Sequence, residues 1–183
     1  MEITIHNNEL ILVTADITKQ NTDAIVNAAN GTLMGGGGVD GAIHSAAGKE
    51  LLQACKQVRE NQLNGERLST GKAVITKGYK LPARFVIHTV GPVWSGDKQE
   101  KETLLANCYE NALQLAVEHN LASISFPSIS TGVYHFPVDK AAQIAMSTLV
   151  DFLQKCSFGQ IVMTLFSKKD YEAYADALQD ILG

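Results

Sequence analysis

Lysine and arginine are absent from the most unusual part of this chain, the stretch Asn27-Ala-Ala-Asn30-Gly-Thr-Leu-Met34-Gly-Gly-Gly-Gly38-Val-Asp40-Gly-Ala-Ile-His44-Ser-Ala-Ala-Gly48. A Walker A loop is thereby excluded, because no Gly-Lys-Ser/Thr follows the glycines. Cysteine is scarce: Cys55, Cys108 and Cys156 are widely spaced, form no C-x-x-C, and each lies in a helical-looking segment among apolar neighbours. They read as small hydrophobes in a reducing cytoplasm rather than as a disulfide framework. There is no H-E-x-x-H and no Cys/His cluster, so no metal site and no cofactor are expected. The opening Met-Glu-Ile-Thr-Ile-His has no basic segment leading into an apolar run, and no apolar stretch is long enough to span a bilayer. A cytoplasmic protein without membrane contact, and a monomer, is the expectation. An excess of positive charge is also missing. Lys and Arg number 15 against 19 Asp and Glu, a formal net charge of −4. That argues against direct nucleic-acid binding, which needs a basic surface to displace counterions. A small anionic ligand is still allowed, because helix N-termini and backbone amides bind anions without lysine.

What is present is an ordinary globular composition, 45% hydrophobic and 19% charged over 183 residues, enough for one core and too short for two. Strands are expected at Ile3–His6, Leu10–Thr14, Ala24–Ala28, Ala73–Thr76, Phe85–Val90, Ile124–Phe126 and Ile161–Phe166, short β-branched runs bounded by Gly, Asn, Asp or Pro. Several are continuously apolar, as strands buried on both faces are. Helical spacing appears at Leu51, Leu52, Cys55 and Val58, and again from Leu104 to Ala116. A third helix is expected to start at Pro137, and a last one behind Ser167 as N-cap with Asp170 three residues on. Strands alternating with helices imply an α/β sandwich on a largely parallel sheet. The first two strands, separated by Asn7-Asn8-Glu9, could form a hairpin, which makes the sheet mixed. Ligands of such folds bind outside the carboxyl ends of the strands. Four segments that succeed strands are expected to converge there: Ala15 to Thr18, Asn30 to Gly41, Ser128 to His135, and Phe166-Ser167.

Gly36-x-Gly38-x-x-Gly41 fits a dinucleotide fingerprint, but Asn30 to Met34 intervenes between strand and glycines, and the acid expected about 20 residues on, near Glu60, follows a helix. Ser69-Thr-Gly-Lys72 and Ser95-Gly-Asp-Lys98 match S-x-x-K without its companion motifs. Ser128-Ile-Ser130-Thr-Gly132 lacks the first glycine of a nucleophile elbow. His88, within a strand and without a metal-spaced partner, reads as a hydrogen-bonded core histidine; His44 is ambiguous. Ordering a run of four glycines costs chain entropy, and the helix-like segment immediately after it argues against a loose surface tip. Asp40 could be a helix N-cap or a catalytic carboxylate, and its residue type leaves both open. Asn27, inside a strand, suits a structural or ligand-shaping role. Asn30, at the strand exit, is better placed to touch ligand.

Together these residues resemble the macrodomain family, and within it the MacroD-type ADP-ribosyl hydrolases that include O-acetyl-ADP-ribose deacetylases. The resemblance spans essentially the whole chain as a single macrodomain, residues 1–183. It rests on Asp16-Ile-Thr18, on Val26-Asn27-Ala-Ala-Asn30 with Gly35 to His44, on His88-Thr-Val-Gly-Pro92-Val-Trp94, and on Pro127-Ser-Ile-Ser130-Thr-Gly132-Val-Tyr134. It implies a three-layer α/β/α sandwich with a mixed central sheet. It also implies that Asp16 accepts from the adenine amine, that the Ile17 N–H contacts the same ring, and that Phe166 stacks on it. Gly38, Val39 and Asp40 would hold one side of the diphosphate. Ser130, Thr131, Gly132, Val133 and Tyr134 would hold the other side and pack on the distal ribose. Asn30 and Asp40 would flank that ribose as the catalytic pair. Two departures stand out: Ala15 occupies a position where relatives usually have Gly, which matters if a positive φ is needed there, and Ser167-Lys-Lys replaces a segment that is acidic in many relatives.

The implied activity is hydrolysis at the distal ribose of ADP-ribose, on Asp or Glu esters of ADP-ribosylated proteins or on O-acetyl-ADP-ribose. An ester leaves as a carboxylate whose conjugate acid has a pKa of about 4, so one carboxylate suffices where glycosidases use two. The alternative implied by the same family is a binding module that reads ADP-ribose without turnover.

Overall fold

The apolar runs form seven strands of one sheet, and the helical patterns form five α-helices over its two faces. The computed structural model describes residues 1–183. Along the chain lie β1 (Glu2–Ile5), β2 (Asn8–Thr14), a single 3-10 turn (Ile17–Lys19), β3 (Ala24–Ala28), α1 (Gly38–Ala47), α2 (Lys49–Gln62), β4 (Ala73–Lys77), β5 (Phe85–Thr89), α3 (Lys98–Glu118), β6 (Ser123–Phe126), α4 (Val138–Lys155), β7 (Gln160–Leu165) and α5 (Lys168–Leu182). The spatial order is β1-β2-β7-β6-β3-β5-β4. β2, β7, β6, β3 and β5 run parallel, and β1 and β4 close the two edges antiparallel. This is the expected three-layer α/β fold with a mixed sheet.

Two cores flank the sheet. The larger gathers side chains of α3, α4 and α5, including Leu105, Leu113, Leu149, Leu153 and Tyr174. The smaller gathers Ile43, Leu51, Cys55 and Val58 of α1 and α2 against Ile25, Val74 and Val86. Burying one such aliphatic side chain is worth about 1.5–3 kcal/mol, so packing rather than intrinsic propensity fixes these helices. The interior strands β3, β5 and β7 are covered on both faces, which accounts for their continuous apolar runs. Two of the buried polar exceptions, Asn27 on β3 and His88 on β5, are register partners in that sheet.

Three local expectations change. The hairpin turn is His6-Asn7, both left-handed (φ 48° and 71°), as a two-residue turn matched to strand twist requires. Asn8 therefore belongs to β2. It is buried, donates to the carbonyls of Leu153 and Cys156, and accepts from the N–H groups of Phe158 and Gly159. Pro137 is the N-cap of α4 rather than its first residue. Cys156, just past the end of α4, is exposed, whereas Cys55 and Cys108 are buried. Ser167 does cap α5, its Oγ accepting from the Asp170 N–H at 3.1 Å.

Candidate functional site

All five parallel strands end on one edge of the sheet, and their exit loops lie in the order of the strands. From one end come Ala15 to Thr18 after β2, Phe166-Ser167 after β7, Pro127 to Pro137 after β6, Ala29 to Gly37 after β3, and Val90 to Asp97 after β5. The first four are the segments expected to meet at this edge. The fifth is an addition: the Trp94 N–H donates to the Tyr134 carbonyl at 2.9 Å, and a side chain at Gly91 would collide with the Ser130 hydroxyl. β2 and β3 are three strand spacings apart, which sets the loops after these two strands about 14 Å from each other.

The glycine loop is shaped by its own asparagine. Asn30 Nδ2 donates to the Gly35 carbonyl at 2.9 Å, and Asn30 Oδ1 accepts from the Thr32 hydroxyl. Leu33 sits in the left-handed region (φ 61°) with its side chain buried in the smaller core, a costly conformation for a bulky residue and one that anchors the loop. A Cβ at Gly36 would lie 3.0 Å from Asn30 Nδ2 and 3.2 Å from Asp40 Oδ2. Asn30 and Asp40 therefore face each other across a glycine. A Cβ at Gly41 would lie 2.5 Å from the Gly36 carbonyl oxygen, so the loop folds directly onto the first turn of α1. The N–H groups from Gly35 through Asp40 donate to no acceptor in the protein.

Asp40 is not a cap. Gly37 takes the N-cap position, and Asp40 lies in the first turn of α1, where the helix dipole favours a negative charge. The residue is only 5% exposed. Its Oδ1 accepts from Asn27 Nδ2 at 2.9 Å and lies 3.4 Å from Nε2 of His44, one turn along. Its Oδ2 has no hydrogen-bond partner and faces Gly36. Behind Asn27, His88 is wholly buried, with Nδ1 3.1 Å from Asn27 Nδ2 and Nε2 2.9 Å from Thr76 Oγ1. Burial, and secondarily His44, lowers the His88 pKa to about 3, and Cys55 behind it is pushed up to about 12 by burial, so both are neutral.

The loop after β6 mirrors the glycine loop. The N–H groups of Ser130 through Tyr134 also donate to no acceptor in the protein, and Ser130 is left-handed (φ 68°) with a buried, unpaired hydroxyl. Successive bare amides around a left-handed residue form an anion-binding concavity. A hydroxyl chain ties this loop to the core: Thr131 Oγ1 to Ser128 Oγ at 2.7 Å, and Ser128 Oγ to the buried Tyr174 hydroxyl at 2.6 Å. Val133, at the tip, is 85% exposed.

At the far end, Asp16 is exposed. Its Oδ1 accepts from the Thr18 hydroxyl (2.7 Å) and the Thr18 N–H (2.9 Å), which cap the 3-10 turn and hold its carboxyl below the usual range. Ala15 is not left-handed, so alanine in place of glycine carries no strain there. The Ile17 side chain is buried. Phe166, just past β7, is 92% exposed, so its ring faces lie open at this end.

Sequence reasoning makes His88 a core histidine, and it is one. It does not connect His88 to Asp40 through Asn27, nor Tyr174 to Thr131 through Ser128. The available signal was a polar residue inside each of two largely apolar strands, Asn27 on β3 and His88 on β5. No group of three or more His, Cys, Asp or Glu side chains is arranged to hold a metal ion, and no helix is long and apolar enough to cross a membrane.

The chain is similar to known proteins along most of its length. The sequence pattern described as "Macro domain" matches residues 26–145. A macro domain-containing protein of Chlorobaculum tepidum is 53% identical over 167 residues, covering 91% of this chain and 93% of the relative. The solved Oceanobacillus iheyensis macrodomain with ADP is 55% identical with a TM-score of 0.97, covering 100% of this chain and 96% of that one. The Trypanosoma brucei macrodomain in complex with ADP-ribose is 38% identical with a TM-score of 0.82, covering 95% of this chain and 69% of that one. This chain belongs to the macro domain family.

Proposed function

We propose that residues 1–183 act as a single macrodomain that binds ADP-ribose and hydrolyses ADP-ribose esters, both Asp or Glu esters on proteins and O-acetyl-ADP-ribose. The observation that carries this reading is Asp40: buried, oriented at Oδ1 by Asn27, and open at Oδ2 toward Asn30. ADP and ADP-ribose are the ligands of the two related macrodomains above.

The ligand lies along the strand ends. Phe166 stacks on the adenine, Asp16 accepts from its amine, and the Ile17 N–H completes that contact. Asp16 suits this because an exposed carboxylate only accepts, and it would face the guanine carbonyl acceptor to acceptor. The diphosphate is gripped by the amide rows of Gly35 to Asp40 and Ser130 to Tyr134 without a lysine. At the distal ribose, Asn30 fixes the hydroxyls and Asp40 Oδ2 orients or deprotonates a water for attack at the anomeric carbon or ester. The carboxylate leaving group needs no acid, so a nitrogen-linked ADP-ribose on arginine is a poor substrate.

The test compares wild type with Asp40→Ala, each checked for folding by circular dichroism. Wild type is expected to release ADP-ribose from a glutamate ester and to leave an arginine linkage intact. Asp40→Ala is expected to lose at least about 100-fold in kcat, the scale of removing one oriented catalytic group. Its calorimetric Kd for ADP-ribose is expected to stay within about threefold, a shift under 1 kcal/mol. Binding without turnover by wild type would make the protein a reader. Loss of binding together with turnover in Asp40→Ala would make Asp40 a structural residue.

A further inference from the structure

The side chains behind Asp40 form a one-way chain of hydrogen bonds. A carboxylate oxygen only accepts, so the atom of Asn27 that lies 2.9 Å from Asp40 Oδ1 must be its amide nitrogen. The same nitrogen lies 3.1 Å from His88 Nδ1. Both of its protons are then donated, and His88 Nδ1 must be the unprotonated acceptor. The single ring proton of neutral His88 is left on Nε2, where Thr76 Oγ1 accepts it at 2.9 Å. The cost appears at Asn27 Oδ1, which is buried without any partner. An amide choosing freely would have satisfied that carbonyl. The parallel register of β3 with β5 places Asn27 beside His88, and β4 brings Thr76 to the same face.

We propose that His88, held by Thr76, is a positioning residue that fixes the Asn27 carboxamide and so aims the Asp40 carboxylate. The two tautomers of His88 select two orientations of Asn27. With the proton on Nε2, Asn27 offers a donor to Asp40. With the proton on Nδ1, the carbonyl of Asn27 turns toward His88 and stands against Asp40 Oδ1, acceptor against acceptor. Thr76 decides between them, because the other neighbour of Nε2, the Cys55 sulfur at 3.9 Å, is a weak acceptor. The step from aim to turnover rests on the hydrolase reading; the hydrogen-bond directions do not.

The test begins without a variant. Nitrogen-15 spectra of the wild-type imidazoles should show His88 protonated at Nε2 and bare at Nδ1; the opposite tautomer overturns the proposal. Thr76→Val keeps the side-chain shape and removes the hydroxyl, and Thr76→Ser restores it. Thr76→Val should shift the His88 proton to Nδ1 and lower kcat on an ADP-ribose ester at least tenfold. KM, and the Kd for ADP-ribose, should stay within about twofold. Thr76→Ser should return kcat to within about threefold of wild type. An unchanged kcat in Thr76→Val, or equal losses of kcat and affinity, overturns the positioning role. If wild type binds ADP-ribose and turns nothing over, the hydrolase reading fails, and the tautomers of wild type and Thr76→Val still decide the hydrogen-bond chain.

Discussion

At one end of the cleft Asp40 is 5% exposed and its Oδ1 is held by a buried amide; at the other, Phe166 is 92% exposed and Asp16 lies in the open. The inner end is assembled from side chains of three strands and a helix, with Thr76, His88, Asn27 and Asp40 in sequence. The outer end has one short 3-10 turn, capped by Asp16 itself. A group that must orient a water needs its geometry before the ligand arrives, because reorganising at the moment of reaction would forfeit the gain. A group that stacks on a flat ring needs only exposed area, and recovers free energy when the ring covers it. On the proposed reading, chemistry sits where the protein is rigid, and nucleobase recognition sits where the ligand completes the surface.

The strongest way to break this contrast is to disturb the glycine loop proposed to join the inner end to the phosphates. Gly41→Ala places a Cβ 2.5 Å from the Gly36 carbonyl, a backbone atom that cannot swing aside. The loop has to move off α1 and takes the Asn30–Asp40 facing with it. The expected result is loss of hydrolysis and a fall in ADP-ribose affinity of at least about 100-fold, near 2.7 kcal/mol, with overpacking costing about 1–3 kcal/mol of stability. Gly37→Ala is the control: nothing in the protein lies within 4 Å of its added Cβ and its φ is −96°, so the loop conformation and the melting temperature should hold. Calorimetry and thermal unfolding of the pair check both statements. Equal effects from the two variants would mean that chain flexibility, not close approach, is what the loop requires.

The two ends also differ in how much of them is legible in the sequence. All seven strands are, with Ala24–Ala28 matching residue for residue, because β-branched runs bounded by turn residues are a local signal. The glycine loop is legible as a place where backbone comes close to something. Asp40 is not settled by sequence, because its residue type suits an N-cap as well as a catalytic role. Asn27, thirteen residues away in sequence, claims its carboxylate. Nothing local reveals that Asn27 meets His88 across 61 residues, or that Tyr174 reaches Ser128 across 46. Those meetings depend on strand register and on where α5 docks, both of which are tertiary. The outer end needs no such pairing: Ala15 to Thr18 and Phe166-Ser167 are strand-exit loops, and locating the strands is enough to locate them.

A second measurement sharpens the inner end through acid. The His88 pKa is lowered by burial to about 3 from an ordinary 6.5, so between those values the unfolded chain binds a proton that the native protein does not. Stability then rises with pH across this window and is lost as pH falls through it, by up to about 1.4 kcal/mol per pH unit. Between pH 7.5 and 5.5, above the range of ordinary carboxylates, the His88 share of the loss is about 1.4 kcal/mol. Urea unfolding of wild type at the two pH values should show this loss, and His88→Gln should lack it. The His88 ring resonances should stay flat over the same range. A ring that titrates near 6.5 would place water beside Asn27 and dissolve the contrast between a dry inner end and a wet outer one.

The smallest expected effect lies at the outer end, and it should be one of binding alone. Phe166→Ala removes a side chain that is 92% exposed, so it opens no cavity, and surface changes of this kind stay within about 0.5 kcal/mol of stability. What it removes is a stacking face, worth about 1–3 kcal/mol per base where such contacts form. The Kd for ADP-ribose should rise about tenfold, near 1.4 kcal/mol, while kcat at saturation and the melting temperature stay put. Phe166→Tyr keeps the ring and should keep the affinity. Calorimetry with ADP-ribose and with ribose 5-phosphate separates the cases, because only the adenine-bearing ligand should notice the loss. Equal weakening of both ligands would mean that Phe166 supports the loop after β7 rather than the base, and recognition at this end would then be as preassembled as catalysis at the other.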